Sequence, residues 1–152
     1  LVEFGRWAAR DRQQRGQGKP ETFNFLGFTH SCTKTMKGRF AVLRQTMRKR
    51  MQAKLHEVKA ELRQRLHTTI PEQGAYLRAV VSGHLRYYGV PRNGSALYAF
   101  RQGVGRLWWQ SLGRRSQGRH VSWGRMYRIL KRYLPLARIC HPYPTLRHVV
   151  IT

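Results

Sequence analysis

TMRKRMQAKLHEVKAELRQRL, residues 46–66, carries Met47, Met51, Leu55, Val58, Leu62 and Leu66 at spacings of four and three. That recurrence draws one apolar stripe along a long amphipathic helix. Arg48, Lys49, Lys54, Lys59 and Arg63 fall on its other faces. The same helical period returns further along the chain. Pro71 and Glu72 suit the first turn of a second helix, with Tyr76, Leu77, Val80, Val81, His84, Leu85 and Tyr88 on its apolar face. Gly89-Val90-Pro91 ends it. Asn93 or Ser95 can cap a third helix with Leu97, Phe100, Val104, Leu107, Trp108 and Ser111 inward. Gly113 to Gly118 reads as a basic break. Ser122 then caps a fourth, shorter helix carrying Trp123, Met126, Tyr127 and Leu130, and the HPYP stretch beyond Pro135 reads as extended.

The chain before residue 46 has a different texture. Arg6 to Gln14 reads as a short helix, and RGQGKP (15–20) as a basic loop. Thr22 to His30, TFNFLGFTH, reads as one strand apolar on both faces, which calls for cover on both sides. Lys37-Gly38 can turn the chain into a returning strand over Arg39 to Arg44. The expected fold is mainly α with a small N-terminal β part: a strand pair followed by a three- to four-helix bundle with antiparallel neighbours. A strand pair does not complete a sheet, so FLGF is either an unusual N-terminal ornament or the edge of something larger. Leu1 in place of methionine agrees, although an unusual start or trimming would account for it equally.

Composition narrows the partners. The 152 residues hold 30 Lys+Arg against 6 Asp+Glu, a formal net charge of +24, and 41% are hydrophobic. A core is affordable, and a polyanion is the natural partner. The bases are mostly arginine, whose planar fork suits phosphate and stacks on nucleobases, so nucleic acid leads and an anionic membrane surface competes. No stretch approaches the roughly 18 uninterrupted apolar residues of a membrane span. Cys32 and Cys140 form no CxxC, which excludes a zinc ribbon or finger in this chain and fits two reduced thiols in a cytoplasmic protein.

Familiar catalytic patterns fail on inspection. Glu57 and Glu61 lie one helical turn apart beside basic residues, as intrahelical ion pairs do. The six carboxylates assemble no two-metal cluster. Gly16-Gln17-Gly18-Lys19 is no phosphate loop, because Pro20 stands where Ser or Thr belongs and Gln13 where the first glycine belongs. Gly103-Val104-Gly105 lacks the third glycine of a dinucleotide fingerprint, since Trp108 occupies it. Cys140, His141 and His148 have the wrong spacing for a metal site. The positive signal is arginine interleaved with aromatics: Arg86-Tyr87-Tyr88, Arg106 near Trp108-Trp109, and Arg114, Arg115, Arg119 and Arg125 around Trp123. Such mixtures grip phosphates and stack on unpaired bases. Helical spacing assigns Tyr88, Trp108 and Trp123 to the core.

The ordered set resembles the C-terminal part of bacterial group II intron reverse transcriptases, or maturases. FNFLGFTH looks like the last palm-side block of that family, and Arg44 to Leu112 like its thumb, or X domain. SGHLRYY (82–88) matches a family motif of the type RGWxNYY at Gly83, Tyr87 and Tyr88, with His84 in place of tryptophan and Arg86 in place of asparagine. The resemblance implies three segments: a palm remnant over 1–45, a thumb over 46–115 and a basic extension over 116–152. It implies phosphate contacts from Arg48, Lys49, Lys54, Lys59 and Arg63, then from Arg86 and Tyr87, with Phe25, Leu26 and Gly27 shaping the seat of the primer end. The partners implied are group II intron RNA, an RNA/DNA template–primer and an upstream fingers–palm half, with no membrane. The family's catalytic aspartates lie upstream in a YADD-type motif, and Asp11 is the only aspartate here. The chain is therefore expected to be inactive alone and to carry no cofactor, Mg2+ belonging to the parent polymerase site. A stand-alone basic nucleic-acid-binding module and a functionless degenerate fragment are the other readings.

Overall fold

A computed structural model describes residues 2–115 and 121–142. The elements run α1 (Arg6–Gln14), β1 (Phe23–Phe25), β2 (Phe28–Lys34), β3 (Phe40–Thr46), α2 (Arg48–Gln64), α3 (Ile70–Tyr88), α4 (Gly94–Arg115) and α5 (Trp123–Tyr133). The fold is mainly helical with a small N-terminal sheet, and the chain divides into two compact units, residues 1–50 and 51–152.

The first unit corrects the reading of TFNFLGFTH as one strand. The segment doubles back in its middle: Phe25 pairs with Phe28, Asn24 with Thr29 and Phe23 with His30. Leu26 and Gly27 form the two-residue turn, with φ of 47° and 80°. Positive φ at both turn positions is the type I′ pattern, whose twist matches a hairpin. β2 also pairs antiparallel with β3, from Phe28 opposite Thr46 to Lys34 opposite Phe40. The strand pair is thus a three-stranded sheet in the order β1-β2-β3. Gly38, at φ 72°, turns the chain between β2 and β3, and its N–H donates to the Thr35 carbonyl at 2.9 Å.

Alternation puts Phe23, Phe25, Phe28, His30 and Cys32 on one face of this sheet. Phe4 packs edge-on against Phe23 at 4.7 Å between ring centroids, and Phe23 stacks on His30 at 4.8 Å. This cover is partial. Of the described residues up to Arg50, Thr46 alone is buried.

The second unit encloses a core. Val58 and Leu62 of α2, Leu77, Val81 and Leu85 of α3, Leu97, Phe100, Val104, Trp108 and Leu112 of α4, and Met126 and Leu130 of α5 form one buried cluster with Leu134. α5, the fourth helix expected from the sequence after residue 115, contributes Met126 and Leu130 to this core. Gly103 and Gly105, the failed fingerprint, are close-approach positions. A Cβ at Gly103 would meet Leu55 at 3.0 Å, and one at Gly105 would meet Leu130 at 3.3 Å. Thr69 caps α3 in a capping box with Glu72: the Glu72 N–H donates to Thr69 Oγ1, and the Thr69 N–H donates to Glu72 Oε2 at 2.8 Å. These bonds from Thr69 hold the Glu72 carboxyl below the usual carboxylate range.

A buried relay ties three of the segments. Trp108 Nε1 donates to Gln73 Oε1 at 2.8 Å, and Gln73 Nε2 donates to the Arg65 carbonyl at 2.7 Å. Both polar side chains are satisfied inside the core, as burial requires. No described helix is long and apolar enough to cross a membrane.

Candidate nucleic-acid interface

The arginines of the helical unit divide into two populations. One population holds the fold. Arg78 on α3 donates to the carbonyls of Arg132 and Tyr133, and Arg101 on α4 to those of Leu134 and Pro135. Two cations thus close the carbonyl end of α5, where the helix dipole favours positive charge. Arg115 reaches the Thr68 carbonyl at 2.7 Å. Arg65 pairs with Glu61 at 2.9 Å and lies over the Tyr76 ring.

The other population faces solvent. Lys59 and Arg63, one turn apart on α2, form one wall of a cleft of about 70 Å3 between α2 and α4. Gln110, Ser111 and Arg114 of α4 form the other wall, and Leu62, Leu66 and Leu107 complete the lining. Ser111 donates to the Leu62 carbonyl at 3.5 Å across the floor. Three cations and an amide converge with no carboxylate in the lining, and none of the three cations makes an ion pair among the described residues. Such a cleft offers charge-assisted hydrogen bonds to a phosphate.

The other expected contacts lie elsewhere. Arg48 and Lys49 are exposed on the first turn of α2. Lys54 is paired with Glu57 at 2.7 Å, so its charge is partly engaged within its own helix. Arg86 is exposed near the end of α3, and its carbonyl meets His141 Nε2. The N–H groups of Cys140 and His141 both donate to the Gly89 carbonyl, so this pair of residues ties the tail to α3. Arg119, His120 and His148 lie outside the described residues.

The aromatics also divide. Trp108 is fully buried and Tyr88 half-buried. Trp123, expected inside, is 53% exposed. It opens α5 directly after the cap and packs edge-on against Trp109 at 5.4 Å, at the rim of the buried stripe of Met126 and Leu130. Among the described residues of the helical unit, Tyr87, Tyr98, Trp109, Trp123 and Tyr127 are the solvent-facing rings, with Arg86, Arg106 and Arg125 exposed close by in sequence to all but Tyr98. His84 occupies the core, stacked on Phe100 at 3.6 Å. Burial, and secondarily the charge of Lys54, lowers its pKa to about 4, so the ring is neutral at neutral pH.

In the first unit, Phe25 and Leu26 stand at the hairpin tip, 59% and 66% exposed. A leucine with positive φ is costly, and the glycine beside it leaves the backbone open to close approach. The structure brings Phe25, Leu26 and Gly27 together on one turn.

Sequence reasoning found Lys59 and Arg63 but did not join them to Gln110 and Arg114. The available signal was the inward Ser111, which places Gln110 and Arg114 at the edge of the buried stripe of α4. No family model, curated protein or solved structure matches this chain. Among the described residues no three His, Cys, Asp or Glu side chains converge.

Proposed function

We propose that this chain is the RNA-binding thumb segment of a group II intron-type reverse transcriptase and maturase, gripping intron RNA and template–primer through phosphate contacts. The observation that carries the reading is the cleft of Lys59, Arg63, Gln110 and Arg114, an uncompensated cationic site built by the two basic helices. The order of the sequence blocks supports it, as does the exposed apolar turn at Phe25, Leu26 and Gly27, where the resemblance puts the primer seat. The chain works as a binding element, with polymerase chemistry and its Mg2+ assigned to an upstream half.

The test is a titration of the chain with a structured group II intron RNA and with a length-matched unrelated RNA at two salt concentrations. Tighter binding to the intron RNA that persists at the higher salt supports the maturase reading. The triple variant Lys59→Ala/Arg63→Ala/Arg114→Ala should lower the salt slope of duplex binding by about 2–3, since each phosphate contact contributes about 0.9. An unchanged slope would remove the cleft from the interface. Equal binding of both RNAs, lost with salt, would favour the stand-alone basic module, a reading that the self-contained core of the helical unit also allows.

A further inference from the structure

We infer that the groove between α1 and the β2–β3 hairpin is a second nucleic-acid site, which holds the sugar–phosphate backbone of a single strand without reading its sequence. The groove encloses about 1090 Å3 within the first unit. Arg6 and Arg10, one turn apart on α1, line one side; Lys19 of the following loop and Lys34 and Arg39 of the hairpin line the rest. No carboxylate is in the lining. Glu3, an acid of the same unit, is engaged by Arg12 at 3.0 Å and Arg15 at 3.7 Å. Five cations around one concavity repel each other, and a polyanion relieves that repulsion while releasing its own counterions.

The walls are ordered by hydrogen bonds. The Gln17 N–H donates to the Arg12 carbonyl at 2.8 Å, and Arg12 Nε donates to the Gly18 carbonyl at 3.2 Å, fastening the glycine loop to α1. Gln13, Gln17 and Thr33 are the neutral hydrogen-bonding side chains of the lining, and its five cations outnumber them, so phosphate contacts outweigh base contacts. The groove's one aromatic, Phe40, lies beneath the Arg6 guanidinium at 6.0 Å. The volume is near the upper size of a small-ligand cleft and accommodates the backbone of a strand. A groove lined by charge and poor in stacking platforms tracks phosphates.

This inference rests on the nucleic-acid reading of the chain but not on the cleft of α2 and α4, and Cys32 lets the two be separated. Cys32 lines the groove, while Cys140, the other cysteine, is exposed in the helical unit. In the full chain carrying Cys140→Ser, Cys32 is the sole thiol. Its alkylation by N-ethylmaleimide is followed with and without a single-stranded oligouridylate. We expect saturating oligouridylate to slow alkylation severalfold. Arg10→Ala/Arg39→Ala should abolish that protection, read as the ratio of the variant's own rates with and without RNA, and lower the salt slope by about 1.4 at roughly 0.7 per single-strand contact. Lys59→Ala/Arg63→Ala/Arg114→Ala should leave Cys32 protection intact even where it weakens intron-RNA binding. Unchanged Cys32 reactivity in the presence of bound oligouridylate would overturn the site. Equal protection by duplex RNA would overturn the single-strand assignment. Loss of protection in the α2–α4 variant would merge this groove with the other interface and refute its independence.

Discussion

Among the described residues, fourteen hydrophobic side chains are buried in the helical unit, all between Val58 and Leu134, whereas Thr46 alone is buried in the sheet unit. The two units reach order by different means. In the helices, apolar transfer and close packing reward a specific arrangement, down to the glycines that admit Leu55 and Leu130. In the sheet, backbone ladders, a few aromatic contacts and surface ion pairs do the holding. A small sheet with one partly covered face is marginal on its own, and surface ion pairs add little. The difference teaches where function can sit. The helical unit can hold charged residues in fixed geometry on a rigid base, while the sheet unit leaves its apolar tip and its cationic groove uncovered.

The largest expected effect tests that contrast directly. Amide hydrogen exchange should show the strands opening several kcal/mol more easily than the central turns of α3 and α4, against a global stability of about 5–15 kcal/mol. Uniform protection through β1, β2 and α4 would break the contrast and make the chain one cooperative unit. Next in size is Trp108→Ala. It empties a fully buried site and leaves Gln73 Oε1 without its donor, so it should cost about 3–5 kcal/mol in chemical denaturation of the helical unit. A loss below about 1 kcal/mol would mean that the core can collapse around the change and is less specifically packed than described.

The helical half was legible because periodicity is a local signal. Leu55, Val58 and Leu62 announce one stripe, and Leu97, Phe100, Val104 and Trp108 another, and each stripe faces the core. The sheet was legible only in part. A run apolar on both faces looks like one buried strand, and the turn at Leu26-Gly27 gives a weak signal because leucine replaces the asparagine that type I′ favours. The candidate site was legible as single residues and not as a site. Lys59 and Arg63 could be read from α2, but joining them to Arg114 requires the packing of α2 on α4. The arginine surplus also concealed a division of labour: nothing local marks Arg78 and Arg101 as closing α5 while Arg63 and Arg114 remain open to solvent.

Acid should expose the same asymmetry at smaller scale. His84 titrates near 6.5 when unfolded and at about 4 when folded, so the unfolded chain binds more protons between those values. Stability is therefore complete above about pH 6.5 and falls as pH drops toward 4. The loss at pH 5 should be on the order of 1 kcal/mol, discounting for residual hydration of the ring. His84→Phe should keep the aromatic stack on Phe100 and remove this acid sensitivity. Thermal unfolding of the helical unit at pH 7 and pH 5 would show it, and an equal acid loss in both proteins would place the responsible proton elsewhere.

The smallest effect sharpens the comparison from the other side, because it improves the weaker unit. Leu26 holds a left-handed conformation on an exposed turn, at a cost of about 1 kcal/mol that the fold itself does not require. Leu26→Asn supplies a residue that this turn prefers, so β1 and β2 should gain up to about 1 kcal/mol of protection against exchange. Strain that a simple substitution relieves is retained where the side chain has another task. Under the proposed function, that task would be apolar contact with the end of the nucleic acid. Leu26→Asn should accordingly weaken binding of a template–primer duplex while it stabilises the hairpin. A hairpin that gains stability with no loss of template–primer affinity would separate the strain from binding and leave Phe25 and Gly27 as the parts of the turn that a primer end can use.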